Sequence, residues 1–382
     1  MNRSEIAQVE IVPVAGAAML KRFIRMPYRL HRDDPNYIAP LEIEREQALS
    51  PRHNPYFEHA DAQFWLARRG GRDVGRISAQ IDRLAPPVAG DKVGHFGMIA
   101  AEDDAAVIAA LFATAETWLR ERGCARVRGP FNLSINEETG LLVDGFDTPP
   151  MLMMGHDRAY LGPRIEALGY ARAKDLLAYL YDARTPLPPA VRKRLDGVAQ
   201  SQLSVRPMDM RRYREEITTI TSIFNDAWAN NWGFVPLTPA ETEHMAKALK
   251  PVLDPELVSI VESQGQAVGF GVTLPNVNEA IRNFGGRLLP FNWARLLWRL
   301  KVTDVKSARV PLMGVRRNAV PGLSAALVPY LVIEGMRRRS LARGFREVEL
   351  SWILEDNRPM RRMIESIGGR VYKTYRVYEK AL

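Results

Sequence analysis

The residues with the clearest chemical potential lie in the last part of the chain. A basic turn, Arg316-Arg317-Asn318, follows an apolar run at Val310–Val315 and precedes a helical pattern from about Ser324 to Arg343. Backbone N–H groups at a helix start are unpaired, and the helix dipole favours an anion there. Gly322 allows the backbone to approach a ligand closely. This combination predicts a site for a phosphorylated ligand.

A carboxylate occurs where a buried strand is predicted. Glu349 lies in the run Arg346–Ile353, on the opposite face from Val348, Leu350 and Trp352. Strands of a parallel sheet are usually apolar on both faces, so a glutamate here is a candidate general base. The alternative is that Glu349 faces solvent or pairs with an arginine.

Several other chemistries lack their signatures. The six histidines include no His-x-x-x-His pair and the chain has a single cysteine, Cys124, so no metal site is expected. There is no Gly-x-Ser-x-Gly elbow and no Walker-type phosphate loop. The sequence therefore does not favour an activated-serine hydrolase or a P-loop enzyme.

Bulk properties set the broad class. The 382 residues are 46% hydrophobic and 25% charged, which is ordinary for a globular chain of two or three domains. One cysteine gives no disulfide framework and favours a reducing, cytoplasmic location. We find no signal peptide and no run long enough to span a membrane. A net charge of +9 predicts an anionic partner or a merely basic surface.

The elements around the basic turn form a recognisable order. A strand, the turn, a long helix ending at Gly344, a second strand, a short helix and a final strand at Arg370–Tyr378 follow one another. This order resembles the GNAT superfamily of N-acyltransferases, and the resemblance is carried by Val315-Arg316-Arg317, Gly322, Glu349–Trp352 and Asn357–Met360. Two departures stand out: the turn offers only one glycine, and Ile364 replaces the tyrosine that many relatives use as general acid.

The same succession of elements occurs twice. Matching segments are a hairpin at 71–77 and 265–271, a helix at 105–123 and 324–344, a short helix at 160–170 and 358–369, and an aromatic strand at 176–181 and 372–378. We therefore predict a mixed α/β (α+β) fold of two tandem GNAT-like units, at 1–184 and 203–382, joined by a proline-rich linker at 185–202. The alternative is that any two α/β halves look alike at this level.

The two halves differ in the charge of the turn that precedes the long helix. In the first half it is Glu102-Asp103-Asp104, whose acids suit helix capping but would repel a pyrophosphate. In the second half it is Arg316-Arg317-Asn318. The second unit is therefore expected to bind acyl-CoA as a co-substrate, with no permanently bound cofactor, and the first to be a degenerate copy.

The GNAT resemblance also implies roles for individual residues. In that family a bulged strand offers a backbone N–H to the acyl carbonyl, here at Met313 or Gly314, while Tyr330 is a weaker candidate acid beside Glu349. The positions implied for the cofactor are Val315, Arg316, Arg317, Asn318, Gly322, Leu323, Ser324 and Asn357.

An apolar wall is predicted for the acceptor. Trp228 and Trp232 fall four residues apart on a predicted helix with Asn231 beside them, and Trp352 lies on the strand of Glu349. Such a wall with a few amides suits a long-chain or amphipathic amine. Core packing explains the tryptophans nearly as well.

An insertion at about 279–303 adds a basic amphipathic segment. Within a helix predicted at Asn283–Val302, one side is apolar and another carries arginines; the apolar residues are Leu289, Trp293, Leu296, Leu297 and Leu300, and the arginines are Arg287, Arg295 and Arg299. This pattern is typical of a helix lying on an anionic membrane surface, and we expect peripheral attachment to the inner membrane. The alternative is a helix packed on the body of the protein.

Across its length the chain resembles the tandem GNAT group that includes the bacterial ceramide synthases. The matching segments are Pro35–Leu41, Asn54–Phe57, Gly129-Pro130, Trp228–Pro236 and Glu349–Met360. The resemblance implies transfer of a long-chain acyl group from acyl-CoA to a lipid amine, a sphingoid base. Two alternatives remain: an aminoacyl-tRNA-dependent transferase, and a non-catalytic acyl-CoA sensor. Nucleic acid is not expected as a partner, because the basic residues are mostly scattered arginines.

Overall fold

A computed structural model describes residues 8–196, 202–251, 253–301, 305–317, 320 and 322–382. The strands are β1 Glu10–Pro13, β2 Ala60–Arg69, β3 Arg72–Asp82, β4 Val93–Ala101, β5 Arg126–Gly129, β6 Leu141–Asp144, β7 Ala171–Asp182, β8 Leu203–Arg206, β9 Val258–Ser263, β10 Gln266–Pro275, β11 Ser307–Val315, β12 Glu347–Leu354 and β13 Arg370–Ala381. The α-helices are α1 Gly16–Leu30, α2 Glu42–Ala48, α3 Ala105–Arg120, α4 Leu161–Ala167, α5 Pro189–Asp196, α6 Tyr213–Trp228, α7 Pro239–Leu249, α8 Val277–Ile281, α9 Asn292–Lys301, α10 Val328–Ala342 and α11 Arg358–Ser366.

The chain forms two compact units. Unit 1 comprises Met1–Asp175, Ile281–Ala294 and Lys373–Leu382, and unit 2 comprises Leu176–Ala280 and Arg295–Tyr372. These bounds differ from the division at residue 184 expected from the sequence, because each half of the chain contributes its last strand to the other unit.

Unit 1 is built on strands that follow the order β1-β2-β3-β4-β5, with β13 beside β5 and β6 beside β13. Only the β4–β5 pair is parallel. Helix α3 packs on this sheet through apolar residues at three- and four-residue steps, and Asp104 caps it by accepting the backbone N–H groups of Ala106 and Val107. The helix lies close because β3 has glycine there: a Cβ at Gly75 would lie 2.8 Å from Leu111.

Unit 2 repeats this plan with the strand order β7-β12-β11-β10-β9-β8, in which only β11–β12 is parallel. Helix α10 covers β10, whose Gly269 and Gly271 leave no room for a side chain; an added Cβ would lie 2.7 Å from Val328 and 2.5 Å from Met336. The mixed α/β sheet predicted from the sequence is confirmed, and the strand plan occurs twice.

The proline-rich segment expected to be an irregular linker contains helix α5. Pro189 is its first residue, a position where proline's missing N–H costs nothing. Leu187 and Val191 are buried in the core of unit 2. The expectation that prolines would interrupt any regular element was therefore wrong for this segment.

Candidate active site

The most distinctive feature of unit 2 is a parting of its two parallel strands. The two strands pair over four residues each, Ser307–Val310 of β11 and Glu347–Leu350 of β12. Beyond this point β11 continues to Val315 on the β10 side, and β12 continues along β7. The two facing edges therefore separate and leave backbone groups available to a ligand.

A β-bulge lies where the strands part. Val272 and Leu274 on β10 face Leu312 and Arg309 on β11, so β11 carries one extra residue at Val310–Pro311. The bulge was expected at Met313 or Gly314, but both of these pair regularly with β10. Pro311 has no N–H and so interrupts the hydrogen bonds between β11 and β10, which explains why the bulge lies before Met313.

The basic turn that follows β11 is anchored to α6. The Arg317 backbone N–H donates to Asp226 Oδ2 at 2.7 Å, and its guanidinium lies 3.3 Å from Asp226 Oδ1. Accepting that N–H, together with the guanidinium, lowers the pKa of Asp226. Arg316 donates to Ser222 Oγ at 3.1 Å, and Val315 pairs with Gly269.

A helical segment begins near Ser324, as the sequence predicted, but its first turn is a 3₁₀ helix and the α-helix starts only at Val328. Gly322, Leu323 and Ser324 belong to a 3₁₀ turn, Gly322–Leu327, that leads directly into α10. Asn318 lies outside the described residues.

The corresponding acidic turn of unit 1 is occupied by its own arginines. Glu102 pairs with Arg29 at 2.8 Å, Asp103 with Arg164 at 2.9 Å and Asp104 with Arg69 at 2.6 Å; these are exposed or partly exposed pairs. They are helix-capping and surface contacts, as the acidic composition of the turn suggested.

Unit 1 has the same parting of parallel strands, but its own chain fills the gap. β4 and β5 pair only between Val93–His95 and Arg126–Arg128. Beyond them the Phe131 N–H donates to the Phe96 carbonyl at 2.8 Å, and Gln80 Nε2 donates to the Phe131 carbonyl at 2.6 Å. The segment after β5 therefore lies where a ligand backbone would pair in unit 2.

Glu349 is completely buried and fully partnered. Its carboxylate accepts hydrogen bonds from the hydroxyls of Ser351 and Tyr372, and it lies 3.4 Å from Arg309 Nε. Arg309 also donates to Ser351 Oγ at 2.8 Å. The alternative in which Glu349 pairs with an arginine is the one observed. Tyr372 is the half-buried member of this network, whereas the other three are buried.

Sequence reasoning missed Arg309, Ser351 and Tyr372. Ser351 could have been found, because it lies two residues from Glu349 and so shares its face of the strand. Arg309 could not, because it meets Glu349 only through the β11–β12 register.

Two other residues predicted for the site, Asn357 and Tyr330, make contacts within unit 2 itself. Asn357 caps α11 by accepting the Met360 N–H at 3.2 Å. Tyr330 is half-buried on α10 and packs against the core of unit 2.

The predicted tryptophan pair is arranged differently from the expectation. α6 ends at Trp228, so Trp232 does not share a helical face with it; a turn through Asn231 and Gly233, with φ of 67° at the glycine, redirects the chain. Trp228 contacts Trp352 edge to face at 5.8 Å and donates its indole N–H to the Met313 carbonyl at 3.0 Å. Trp228 and Trp352 are thus together beside β11.

The basic amphipathic helix of the insertion begins at Asn292, not at Asn283, because Gly285 and Gly286 have positive φ and Pro290 follows. Val302 lies outside the described residues. Part of the segment packs on the protein and part of it is exposed, so contact with a membrane stays a prediction. Leu296 and Leu300 pack on the core of unit 2, whereas five large apolar side chains of the segment are 48–78% exposed: Leu289, Phe291, Trp293, Leu297 and Trp298.

Three residues of unit 1 that the sequence did not connect lie together. His31, Asp34 and His156 present ligand-type atoms within 4.8 Å of one another. Burial lowers the pKa of His31 to about 4, with the nearby Arg158 and His156 adding to the effect.

Among the described helices, none combines the length and hydropathy required to cross a bilayer.

Comparisons with known proteins agree with this architecture. No family model matches the chain. It is 54% identical over 377 residues to the bacterial ceramide synthase of Caulobacter vibrioides, covering 98% of each chain. It is 46% identical over 365 residues to protein YghO of Escherichia coli, covering 95% of this chain and 93% of the other.

Solved structures of low sequence identity share the fold. A tandem GNAT protein from the clavulanic acid biosynthesis pathway matches with a TM-score of 0.55 and 13% identity, covering 98% of each chain. A GCN5-related N-acetyltransferase from Sphaerobacter thermophilus matches with a TM-score of 0.52 and 15% identity, covering 97% of this chain and 95% of the other. With an identity of 54% to a named synthase over nearly its whole length, the chain is an N-acyltransferase that belongs to the bacterial ceramide synthase family of tandem GNAT proteins.

Proposed function

We propose that this protein transfers a long-chain acyl group from acyl-CoA to the amine of a sphingoid base. The observation that carries the proposal is the parting of β11 and β12 beside the basic turn and the start of α10. The relative named bacterial ceramide synthase supports the choice of acceptor.

The acyl-CoA is proposed to bind along the free edge of β11. Its amide groups can pair with the strand beyond Val310, much as an added strand would. Its pyrophosphate would meet the basic turn and the start of the helical segment that begins at Gly322, where the helix dipole favours an anion. Arg316 donates to the neutral Ser222 hydroxyl, whereas Arg317 forms an ion pair with Asp226, so the charge of Arg316 is the more available of the two to the phosphate.

The acceptor nitrogen loses two protons during the reaction, and the leaving sulfur gains one. The ammonium first gives a proton to the base, and the neutral nitrogen then attacks the thioester carbon. As the C–S bond breaks, the nitrogen loses its second proton to give the neutral amide, and the thiolate sulfur takes up one proton. We propose Glu349 as the base, acting through the Tyr372 hydroxyl, because both carboxylate oxygens are buried and already bonded. Tyr330 remains the candidate donor to sulfur, and backbone N–H groups near Met313 and Gly314 remain the candidates that polarise the carbonyl.

The acceptor chain is proposed to lie against Trp228 and Trp352, with Asn231 and Trp232 at the turn that follows α6. The exposed apolar residues of α9 are proposed to contact an anionic bilayer, from which a lipid amine would enter. We therefore propose that the protein binds peripherally to the membrane.

Incubation of the purified protein with a panel of acyl-CoAs and amines, analysed by mass spectrometry, tests the reaction. Arg316→Glu with Arg317→Glu should weaken CoA binding about 100-fold, or ~2.7 kcal/mol, by reversing two charges at the phosphates. A matched pair, Arg211→Glu with Arg212→Glu, makes the same change in net charge on an exposed surface of unit 2 and should leave binding unchanged.

Asp103→Lys should also have little effect, since it removes only the exposed pair with Arg164, worth under about 1 kcal/mol. Unchanged CoA affinity in the Arg316/Arg317 variant would refute the assigned site. CoA binding without any amide product would favour the sensor alternative, and a product formed only with charged tRNA would favour the aminoacyl transferase.

A further inference from the structure

We propose that unit 1 binds a divalent transition-metal ion, of the Zn²⁺ class, through His31, Asp34 and His156. The inference is independent of the acyl-transfer proposal, since the three residues belong to the other unit from the β11–β12 opening.

The three side chains come from two separate stretches of chain and converge on one carboxylate oxygen. His31 follows the end of α1, Asp34 lies one turn later, and His156 lies between β6 and α4. Asp34 Oδ2 is 2.9 Å from His156 Nε2 and 3.6 Å from His31 Nδ1. The 3.6 Å separation is close to the roughly 3.3–3.6 Å between ligand atoms around a tetrahedral ion with bonds of about 2.0–2.2 Å. The 2.9 Å separation is that of a hydrogen bond and would lengthen by about half an ångström when an ion replaces the proton.

The site is buried, and two of its nitrogens, His31 Nδ1 and His156 Nδ1, have no hydrogen-bond partner in the described part of the chain. The side chains of His31 and His156 are 4% and 1% exposed, and that of Asp34 is 16% exposed. His31 Nδ1 is buried and points towards Asp34 Oδ2 at a distance too long for a hydrogen bond. Leaving such an atom unpaired is costly, and a metal ion between the three residues would use its lone pair.

The surroundings hold two of the ligands in position. The Asn36 backbone N–H donates to Asp34 Oδ1 at 2.9 Å, which orients Oδ2 towards the histidines. The Tyr37 ring stacks on His31 with centroids 4.2 Å apart and an angle of 13° between the planes. Outer contacts of this kind fix the orientation of metal ligands in known sites.

Nearby cations are engaged elsewhere. Arg158 pairs with Asp33 and donates to the Leu30 carbonyl, and Lys373 donates to the carbonyls of Gly145 and Thr148.

The donor set indicates the class of ion. Two imidazoles and one carboxylate suit Zn²⁺ and its neighbours in the first transition row, whereas Ca²⁺ and Mg²⁺ prefer oxygen alone. Three protein ligands leave a fourth position for water or for an atom of a bound molecule.

Metal content and affinity test the proposal. Full-length protein stripped with a chelator should take up about one equivalent of Zn²⁺, measured by equilibrium dialysis with elemental analysis and by competition with a chromophoric chelator. Asp34→Asn and His156→Gln should each weaken the affinity about 100-fold or more. The Co²⁺-loaded wild type should show visible d–d absorption that both variants lose.

His53→Gln is the matched control, because His53 is exposed and contacts only Ser50. It should bind Zn²⁺ like the wild type. Circular dichroism of each stripped variant separates lost binding from lost folding, and His31→Gln provides an additional variant should one of the others unfold. Substoichiometric uptake by the wild type, or equal affinity in folded Asp34→Asn, would overturn the proposal and leave the cluster as a hydrogen-bonded Asp–His group.

Discussion

At the scale of single residues, Glu349 is both the buried partner of Arg309 and the proposed general base, and a mutation affects both roles. Its carboxylate neutralises Arg309 inside the sheet, and both groups are less than a tenth exposed. Removing one member of a buried ion pair costs about 3–5 kcal/mol because the other charge is left unpaired. A loss of activity on mutation therefore implicates Glu349 in catalysis only if the protein remains folded.

Glu349→Gln keeps the size and hydrogen-bonding capacity of the side chain but cannot accept a proton. If Glu349 is the base, turnover in the folded fraction should fall by about two to four orders of magnitude while CoA affinity is retained. Steady-state kinetics, with the folded fraction measured in parallel, provide the test.

Ser351→Ala is the control for this experiment, because it removes a donor to Glu349 but leaves the carboxylate and Tyr372 in place. It should retain most of the wild-type turnover. If Glu349→Gln loses activity only in proportion to unfolded protein, Glu349 is a structural partner of Arg309 and the base is another group.

At the scale of secondary structure elements, α9 is a helix with apolar residues on two faces. Leu296 and Leu300 are used for packing on unit 2, yet Trp293 and Trp298 are 51% and 61% exposed. Single exposed apolar residues are ordinary, but several within one short segment mark a contact surface. Arginines in the same segment favour an anionic bilayer as that surface.

Trp293→Ser with Trp298→Ser should weaken binding to anionic liposomes by about tenfold or more, since it removes two large apolar groups from the membrane-facing side. The apparent KM for a long-chain amine should rise, whereas that for a short water-soluble amine should change little. Vesicle sedimentation and kinetics with both acceptors measure these effects.

Ile43→Ser with Leu84→Ser is a matched control, because these residues are 48% and 39% exposed and lie outside the segment. It should leave liposome binding unchanged. If the tryptophan variant stays bound but loses thermal stability, α9 is an element of the core and the membrane assignment is wrong.

At the scale of the whole molecule, the two units are not the two halves of the chain. β7 ends the first half but pairs with β12 in unit 2, and the last ten residues pair with β5 and β6 in unit 1. Tyr375, Val377 and Tyr378 in that final strand are completely buried. The C-terminal residues are therefore required by the unit that begins at the N-terminus.

Deletion of residues 373–382 should unfold unit 1, because the loss of three buried side chains exceeds the few kcal/mol by which a domain is stable. A fragment of residues 1–184, the unit expected from the sequence alone, should likewise fail to fold. Near-ultraviolet circular dichroism and amide NMR dispersion measure both. Val371→Ala, at a 40% exposed position of the same strand, is the control and should fold normally. A well-dispersed spectrum from the 1–184 fragment would contradict the exchange of strands.

The sequence by itself determined the local features: the order of elements, their repetition, the charge of the turns that precede α3 and α10, and the position of Glu349 on a strand. These features follow from the spacing of apolar residues and from turn chemistry, which act over a few neighbouring positions.

The tertiary structure alone decided which residues meet. The register of β11 against β12 brings Arg309 to Glu349, the turn after α6 takes Trp232 away from Trp228, and the pairing of β13 with β5 assigns the C-terminus to unit 1. The convergence of His31 and His156 on Asp34 joins residues far apart in the chain. β7 and β13 carry similar aromatic patterns, so local sequence could not distinguish their partners; the contacts that do so are distant in sequence and form only when the sheets close.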